Sequence, residues 1–298
     1  MKSQTNERYL SKLHHDILTI MDEVDRICKE NNLRYYLMCG SCIGAVRHKG
    51  FIPWDDDLDI AMPFNDFIRF IKLITQNQAK NSILSESFYL RWINTEKCYN
   101  HSFAKICLKG SVFQESNGPA SKNAGIYVDI FPLYSCPAYG KRIEIKNSIC
   151  TFLERCIHYK GANKKLQERN LKHWPIKIVS NLLPNKVIYK IMLMIIRPLD
   201  ESKSDYQAFF ATPYPIRRML FPKKWHGEGK DLCFEGRKYK CPSETMKYLK
   251  QIYGENVMQL PPEDKRKSHF PLHVVFSDGE EMFFEKPSKK IKYRDIIE

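Results

Sequence analysis

The sequence predicts an α/β protein, with a mixed-sheet core over about residues 20–135 and a largely helical portion over about 136–298, all in a single domain. Three observations carry that expectation. Short apolar-aromatic runs alternate with amphipathic stretches as far as Pro132, and beyond it the pattern turns to helices, loops and scattered prolines. With 298 residues, 43% hydrophobic and 28% charged, the chain is long enough to bury a core and ordinary enough in composition to exclude disorder.

Residues 7–30 read as an amphipathic helix: Leu10, Leu13, Ile17, Ile20, Met21, Val24 and Ile27 recur at spacings of three and four, and Asn31-Asn32 ends the pattern. Residues 33–39 form a short apolar-aromatic run, the mark of a strand. It runs into Gly40-Ser41 and a brief helix over 42–46, capped by Ser41. Arg47 to Gly50 reads as a loop and Pro53-Trp54 as a turn; residues 57–62 then alternate carboxylates with Leu58, Ile60 and Met62. A helix over about 66–75 takes Asn65 as its cap and buries Phe67, Phe70, Ile71 and Ile74. Residues 88–93, 102–108 and 125–131 read as strands, and 243–253 as a helix opened by Ser243 and stopped by Gly254.

A net charge of +14 favours anionic partners, which a membrane surface, an anionic glycan or a phosphate-bearing substrate would supply ahead of nucleic acid. The ten cysteines do not outline a metal site: neither Cys39 and Cys42, nor Cys150 and Cys156, nor Cys233 and Cys241 has a matching second pair or histidine. Residues 1–10 are polar and lack the apolar region of a secretory signal, so reduced thiols in a cytoplasmic protein are expected. The most apolar stretch, 187–199, is too short to span a bilayer and contains Lys190. It reads as a buried helix. A second reading sets Lys172, Lys177, Lys186, Lys190 and Arg197, with Trp174, Ile176, Ile178 and Val179, against the inner face of an anionic membrane.

The chemistry concentrates in Asp57-Leu58-Asp59-Ile60. On a strand, Asp57 and Asp59 share one face while Leu58 and Ile60 pack on the other. Two carboxylates so placed repel unless a cation joins them, and hard oxygen donors suit Mg²⁺ or Mn²⁺. Asp129 interrupts a later apolar strand, where a lone charge is costly without a partner such as a metal. Gly40-Ser41 supplies a close backbone approach and a helix start, both suited to phosphate. A strand–Gly-Ser–helix unit, an Asp-apolar-Asp strand and a third strand carboxylate together make a nucleotidyltransferase-like pattern that clamps and displaces phosphoryl groups.

Residues 44–63, GAVRHKGFIPWDDDLDIAMP, resemble the signature of the LicD family, which includes fukutin and fukutin-related protein. The similarity continues through VDIFPL at 128–133, FPKKW at 221–225, FEG at 234–236, YLKQIYG at 248–254 and LPPEDKR at 260–266, and is loose over 136–215. The resemblance implies transfer of a phosphorylated alcohol, phosphocholine in bacteria or ribitol phosphate in the animal relatives. The donor would be a CDP-linked alcohol and the acceptor a saccharide or lipid-linked glycan of capsule, teichoic acid or lipopolysaccharide. On this reading Asp57, Asp59 and Asp129 hold the metal, Asp129 takes the proton of the attacking hydroxyl, and CMP leaves.

Arg47 reads as a diphosphate contact or as a solvated loop charge, and Lys105 as a phosphate-neutralising group or a surface strand lysine. Asp55 suits a turn, and Asp56 points away from the face of Asp57 and Asp59. Relatives often carry arginine where Cys107 stands, and His269 is a weak further candidate. Trp92, Tyr99 and Trp225 are candidate walls for a quaternary ammonium. The animal relatives hold zinc through cysteines whose spacing is absent here, so no zinc is expected. Two alternatives remain at this stage: a true nucleotidyltransferase releasing pyrophosphate, and a non-catalytic basic module on the same fold.

Overall fold

The computed structural model describes residues 2–76, 83–96, 99–115, 124–161, 174–262, 266 and 271–284. Its centre is a mixed sheet in the order β1 (Tyr36–Leu37), β2 (Asp59–Pro63), β6 (Tyr127–Cys136), β4 (Ala104–Leu108), β3 (Phe88–Arg91). The β2–β6 pair is parallel and its neighbours in the sheet are antiparallel. The far end of β6 pairs with β7 (Tyr206–Ala208), which pairs with β8 (Leu220–Pro222). Between β4 and β6 runs β5 (Val112–Glu115), which belongs to a separate small sheet with β11 (Pro271–Val275) and β12 (Glu281–Phe283).

Helix α1 (Lys2–Glu30) follows its periodicity closely. Leu13, Ile17, Ile20, Met21, Val24 and Ile27 are all buried against the sheet, with Leu10 half-buried at the edge. At its end Asn32 takes a left-handed φ of 50°, a conformation asparagine tolerates better than most residues. Helix α3 (Phe64–Gln76) also packs on β2 and β6, through Phe67, Phe70, Ile71 and Ile74.

Several boundaries differ from the sequence expectation for identifiable reasons. Only Tyr36 and Leu37 of the run 33–39 pair as strand, because helix α2 (Cys39–Arg47) starts early, with Met38 as its N-cap and no side-chain cap. Ser41 is therefore inside the helix. Likewise α3 begins at Phe64, so Asn65 lies in its first turn and is not its cap. Strand β6 continues through Pro132 to Cys136; Pro132 stands opposite Met62 in the parallel pair without stopping the strand.

The helical portion beyond 136 contains α4 (Lys141–Gly161), α5 (Trp174–Leu182), α6 (Asn185–Ile196) and α7 (Thr245–Tyr253), joined by short strands that sequence periodicity did not disclose. Among them, β9 (Lys230–Phe234) and β10 (Arg237–Cys241) make a hairpin. Ser243 does not cap α7; its hydroxyl donates to the His226 carbonyl at 3.0 Å, while Gly254 ends the helix at φ 89° as expected.

Distant chain segments meet on α1. Asp22 accepts from Arg237 at 2.8 Å and from the Tyr239 hydroxyl at 2.7 Å. Buried Asp16 accepts the Ser277 N–H at 2.9 Å, and Glu280 pairs with both Arg8 and Lys12 at 2.7 Å. No single helix among the described residues is long and apolar enough to cross a membrane; α5 and the stretch from Asn185 form a pair bent by 108°. No disulfide links the described cysteines. Cys39 and Cys42 have Cys-x-x-Cys spacing, and burial pushes Cys39 up to about 12 and Cys42 well up, away from the thiolate form.

Candidate active site

The parallel pairing of β2 and β6 sets Asp59 directly opposite Asp129. Exposure alternates along the chain before β2: Asp55, Asp57 and Asp59 are partly exposed, whereas Asp56, Leu58 and Ile60 are buried. Three carboxylates thus share one face, which is one more than the strand reading assigned to it. Asp56 turns inward toward Tyr9 of α1, away from that face as expected. Asp55 does more than shape a turn: a Cβ on Gly40 would lie 2.9 Å from its Oδ2, so its carboxylate rests against the first turn of α2. The Asp55 backbone is held from α1, where His14 Nε2 lies 2.8 Å from its carbonyl.

Helix α2 fixes the other side. Ser41 Oγ accepts the Asp59 N–H at 2.8 Å, and the Met38 N–H donates to the Asp59 carbonyl at 3.0 Å, so the aspartate backbone is clamped from both sides. The Cys39 N–H donates to the Tyr248 hydroxyl of α7 at 3.3 Å, which fastens the first turn of α2 to the far end of the chain. Gly40 and Ser41 therefore stand beside the carboxylates, and the hydroxyl of Ser41 serves the strand.

Lys105 corrects an expectation. It is buried, not a surface lysine, and lies opposite Asp129 on β4 with its Nζ 2.9 Å from Asp129 Oδ1. The ammonium also lies 3.2 Å from the Tyr127 ring centroid. Asp129 thus has the partner its apolar surroundings demand, and that partner is a lysine.

Asp59 feels the cluster most. Burial first, then the charges of Asp57, Asp129 and Asp55, hold its carboxyl well above the usual carboxylate range, with Lys105 pulling the other way. A divalent cation with a taste for oxygen would relieve that repulsion, so the donor chemistry fits Mg²⁺ or Mn²⁺. Among the described residues, the group of three ligand-type side chains whose atoms lie within 4.8 Å of one another is a different one: His101, Glu154 and His158. Sequence reading missed it. Glu154 and His158 sit one turn apart on α4, a legible spacing, but nothing local announces that His101 joins them.

The remaining candidates scatter. Arg47 is neither a solvated charge nor directed at the aspartates: its guanidinium donates to the Val257 carbonyl at 3.3 Å and the Gln259 carbonyl at 3.1 Å. Burial and the nearby Arg266 lower its pKa. Arg266 stacks on Trp54 at 5.2 Å, so a small basic patch borders the residue preceding Asp55. Trp92 and Tyr99 are buried core rings and cannot wall an open site, while Trp225 is half-buried. Cys107 is buried in β4 opposite Tyr89. His269 and Lys172 lie outside the described residues.

Comparison with known proteins agrees with this arrangement. Residues 32–155 match the nucleotidyltransferase domain of the LicD/FKTN/FKRP family, a span that contains α2, β2, β4, β6 and most of α4. The chain is 27% identical over 265 residues to the lipopolysaccharide cholinephosphotransferase LicD of Haemophilus influenzae, covering 85% of this chain and 92% of that one. It is also 40% identical over 57 residues to an uncharacterised protein of Rickettsia typhi, 19% of this chain and 18% of that one. A similar protein of Rickettsia prowazekii is 39% identical over 57 residues, 19% and 21% of the respective chains.

Proposed function

We propose that the chain is a member of the LicD family, and on that premise a phosphotransferase moving phosphocholine, or a related alcohol phosphate, onto a sugar hydroxyl of a cell-surface glycan. The donor in this reading is CDP-activated, and CMP leaves. The observation that carries it is the juxtaposition of Asp59 and Asp129 on adjacent parallel strands, within a chain similar along most of its length to a cholinephosphotransferase.

Asp57 and Asp59 are the residues to hold a hard divalent cation, with Asp129 beside them and Asp55 close enough to contribute. When bound, such an ion supplies charge neutralisation at the phosphoryl oxygens. The rest is done by the chain. The start of α2 at Gly40-Ser41 offers backbone N–H groups to a phosphate. Lys105 holds the Asp129 carboxylate in place through its ion pair, and Asp129 is the group positioned to accept the proton of the attacking hydroxyl. Arg47 and Arg266 lie at the rim near Trp54, where they add positive charge for a diphosphate. The whole chain acts as one unit, with the core of about 20–135 carrying the carboxylates.

A membrane-borne acceptor suits the exposed surface. Trp174, Ile178 and Leu182 line one exposed face of α5, and exposed Val187 and Met194 of α6 lie among Lys186 and Lys190. An apolar face interleaved with lysines suits the boundary of an anionic bilayer, and this supports a working position at the inner face of the cell membrane. Incubation with CDP-choline, other CDP- and UDP-alcohols and Mg²⁺ tests the reaction. CMP as product supports transfer of the alcohol phosphate; release of pyrophosphate from a nucleoside triphosphate would establish the nucleotidyltransferase alternative instead.

A further inference from the structure

His101 leads into β4, and Glu154 and His158 project from successive turns of α4. Glu154 is buried; its Oε1 accepts the Ser102 N–H at 3.2 Å and lies 3.3 Å from His158 Nε2. Two atoms of the group are buried with no hydrogen-bond partner among the described residues: His101 Nδ1 and Glu154 Oε2. An ion pair between His158 and Glu154 accounts for Oε1 alone. Buried polar atoms left unanswered are costly, and a bound ion would satisfy both. The His101 ring is held in place by Tyr99, Phe103 and His158, with ring centroids 5.5, 4.7 and 4.7 Å away.

We propose that His101, Glu154 and His158 form a binding site for a divalent transition metal of the zinc class. Two imidazoles and one carboxylate are the donor set that zinc-like ions take, whereas Mg²⁺ prefers oxygen alone. The half-exposed side chain of His158 leaves one flank open to solvent for a fourth ligand. The site ties α4 to the segment entering β4, four residues before Lys105. Phe103, between them, packs on Phe131 at 4.3 Å and lies 5.6 Å from the Lys105 ammonium. The ion thus acts as a clamp behind the strands that carry Lys105 and Asp129. The expectation of no zinc came from cysteine spacing, and a His/Glu/His set reaches the same ion by other donors. This inference does not rest on the proposed transferase reaction.

The test titrates CoCl₂ into the chelator-treated full chain with excess MgCl₂ present, so that the aspartate site is supplied with its preferred kind of ion. The expected result is one equivalent of Co²⁺ with the strong visible bands of a four-coordinate, nitrogen-ligated ion, displaced by ZnCl₂. The His158→Gln variant, altered at a half-exposed position, should keep its metal-free melting temperature and lose affinity by about 100-fold, as should His101→Gln. Asp57→Asn should keep the bands. Absence of bands in the unaltered protein, or identical bands in both histidine variants, would overturn the assignment.

Discussion

At the scale of single residues, the site is governed by how one buried ammonium and several carboxylates share a small space. Removing Lys105 strands Asp129 in an apolar setting, so Lys105→Met should destabilise the protein by about 3–5 kcal/mol in chemical denaturation. Adding Asp129→Asn should restore much of that loss; a purely additive double variant would show that the two do not depend on each other. Asp59 behaves oppositely, since its neighbours repel it. Asp59→Asn should leave the melting temperature unchanged or raised while turnover falls by about 100-fold or more, measured by CMP release. His226 gives a pH signature. It is buried among Tyr36, Phe221 and Tyr248, and burial lowers its pKa from 6.5 to about 3. Between those values the unfolded chain binds a proton that the folded chain refuses, so stability falls as pH drops below about 6.5, by about 1.4 kcal/mol per pH unit from this group. Melting curves at pH 7 and pH 5 should show a shallower loss in His226→Phe than in the unaltered protein.

At the scale of elements, α2 depends on contacts that short side chains permit. A Cβ on Gly44 would lie 2.4 Å from the Gly50 carbonyl oxygen, a backbone atom with nowhere to go, so Gly44→Ala should lower the melting temperature sharply despite alanine's better helix propensity. The same element shows what was legible in the sequence. The alternation of Asp57, Leu58, Asp59 and Ile60 gave the correct face, and the spacing along α1 gave the correct buried stripe, because both follow from local periodicity. The role of Ser41 was not legible. A serine after glycine at a helix start looks like a cap, and only the arrival of β2 shows that its hydroxyl serves the Asp59 N–H. For the same reason Lys105 read as a phosphate-neutralising group or a surface lysine and not as the partner of Asp129: the two lie 24 positions apart, and strand pairing alone brings them together. His101 joins Glu154 and His158 through packing that no local pattern records.

At the scale of the whole molecule, apolar side chains stand exposed among lysines on α5 and α6. The exposed faces of α5 and α6 predict that the protein sediments with vesicles containing anionic lipid, and less so with zwitterionic ones or at high salt. Replacing Trp174 and Leu182 together by serine should weaken that association several-fold without altering CMP release from a soluble acceptor; equal sedimentation would remove the membrane reading. The clasp on α1 has a different consequence, for the order in which the protein is assembled during synthesis. Among the described residues, buried Asp16 finds its donors at Ser277, while Arg8 and Lys12 find an acceptor at Glu280. Helix α1 is synthesised long before the segment around Ser277, so these polar groups stay unanswered until that segment has been made. A nascent chain stalled before residue 277 should remain protease-sensitive along α1, and the released chain should become resistant there in a single late step.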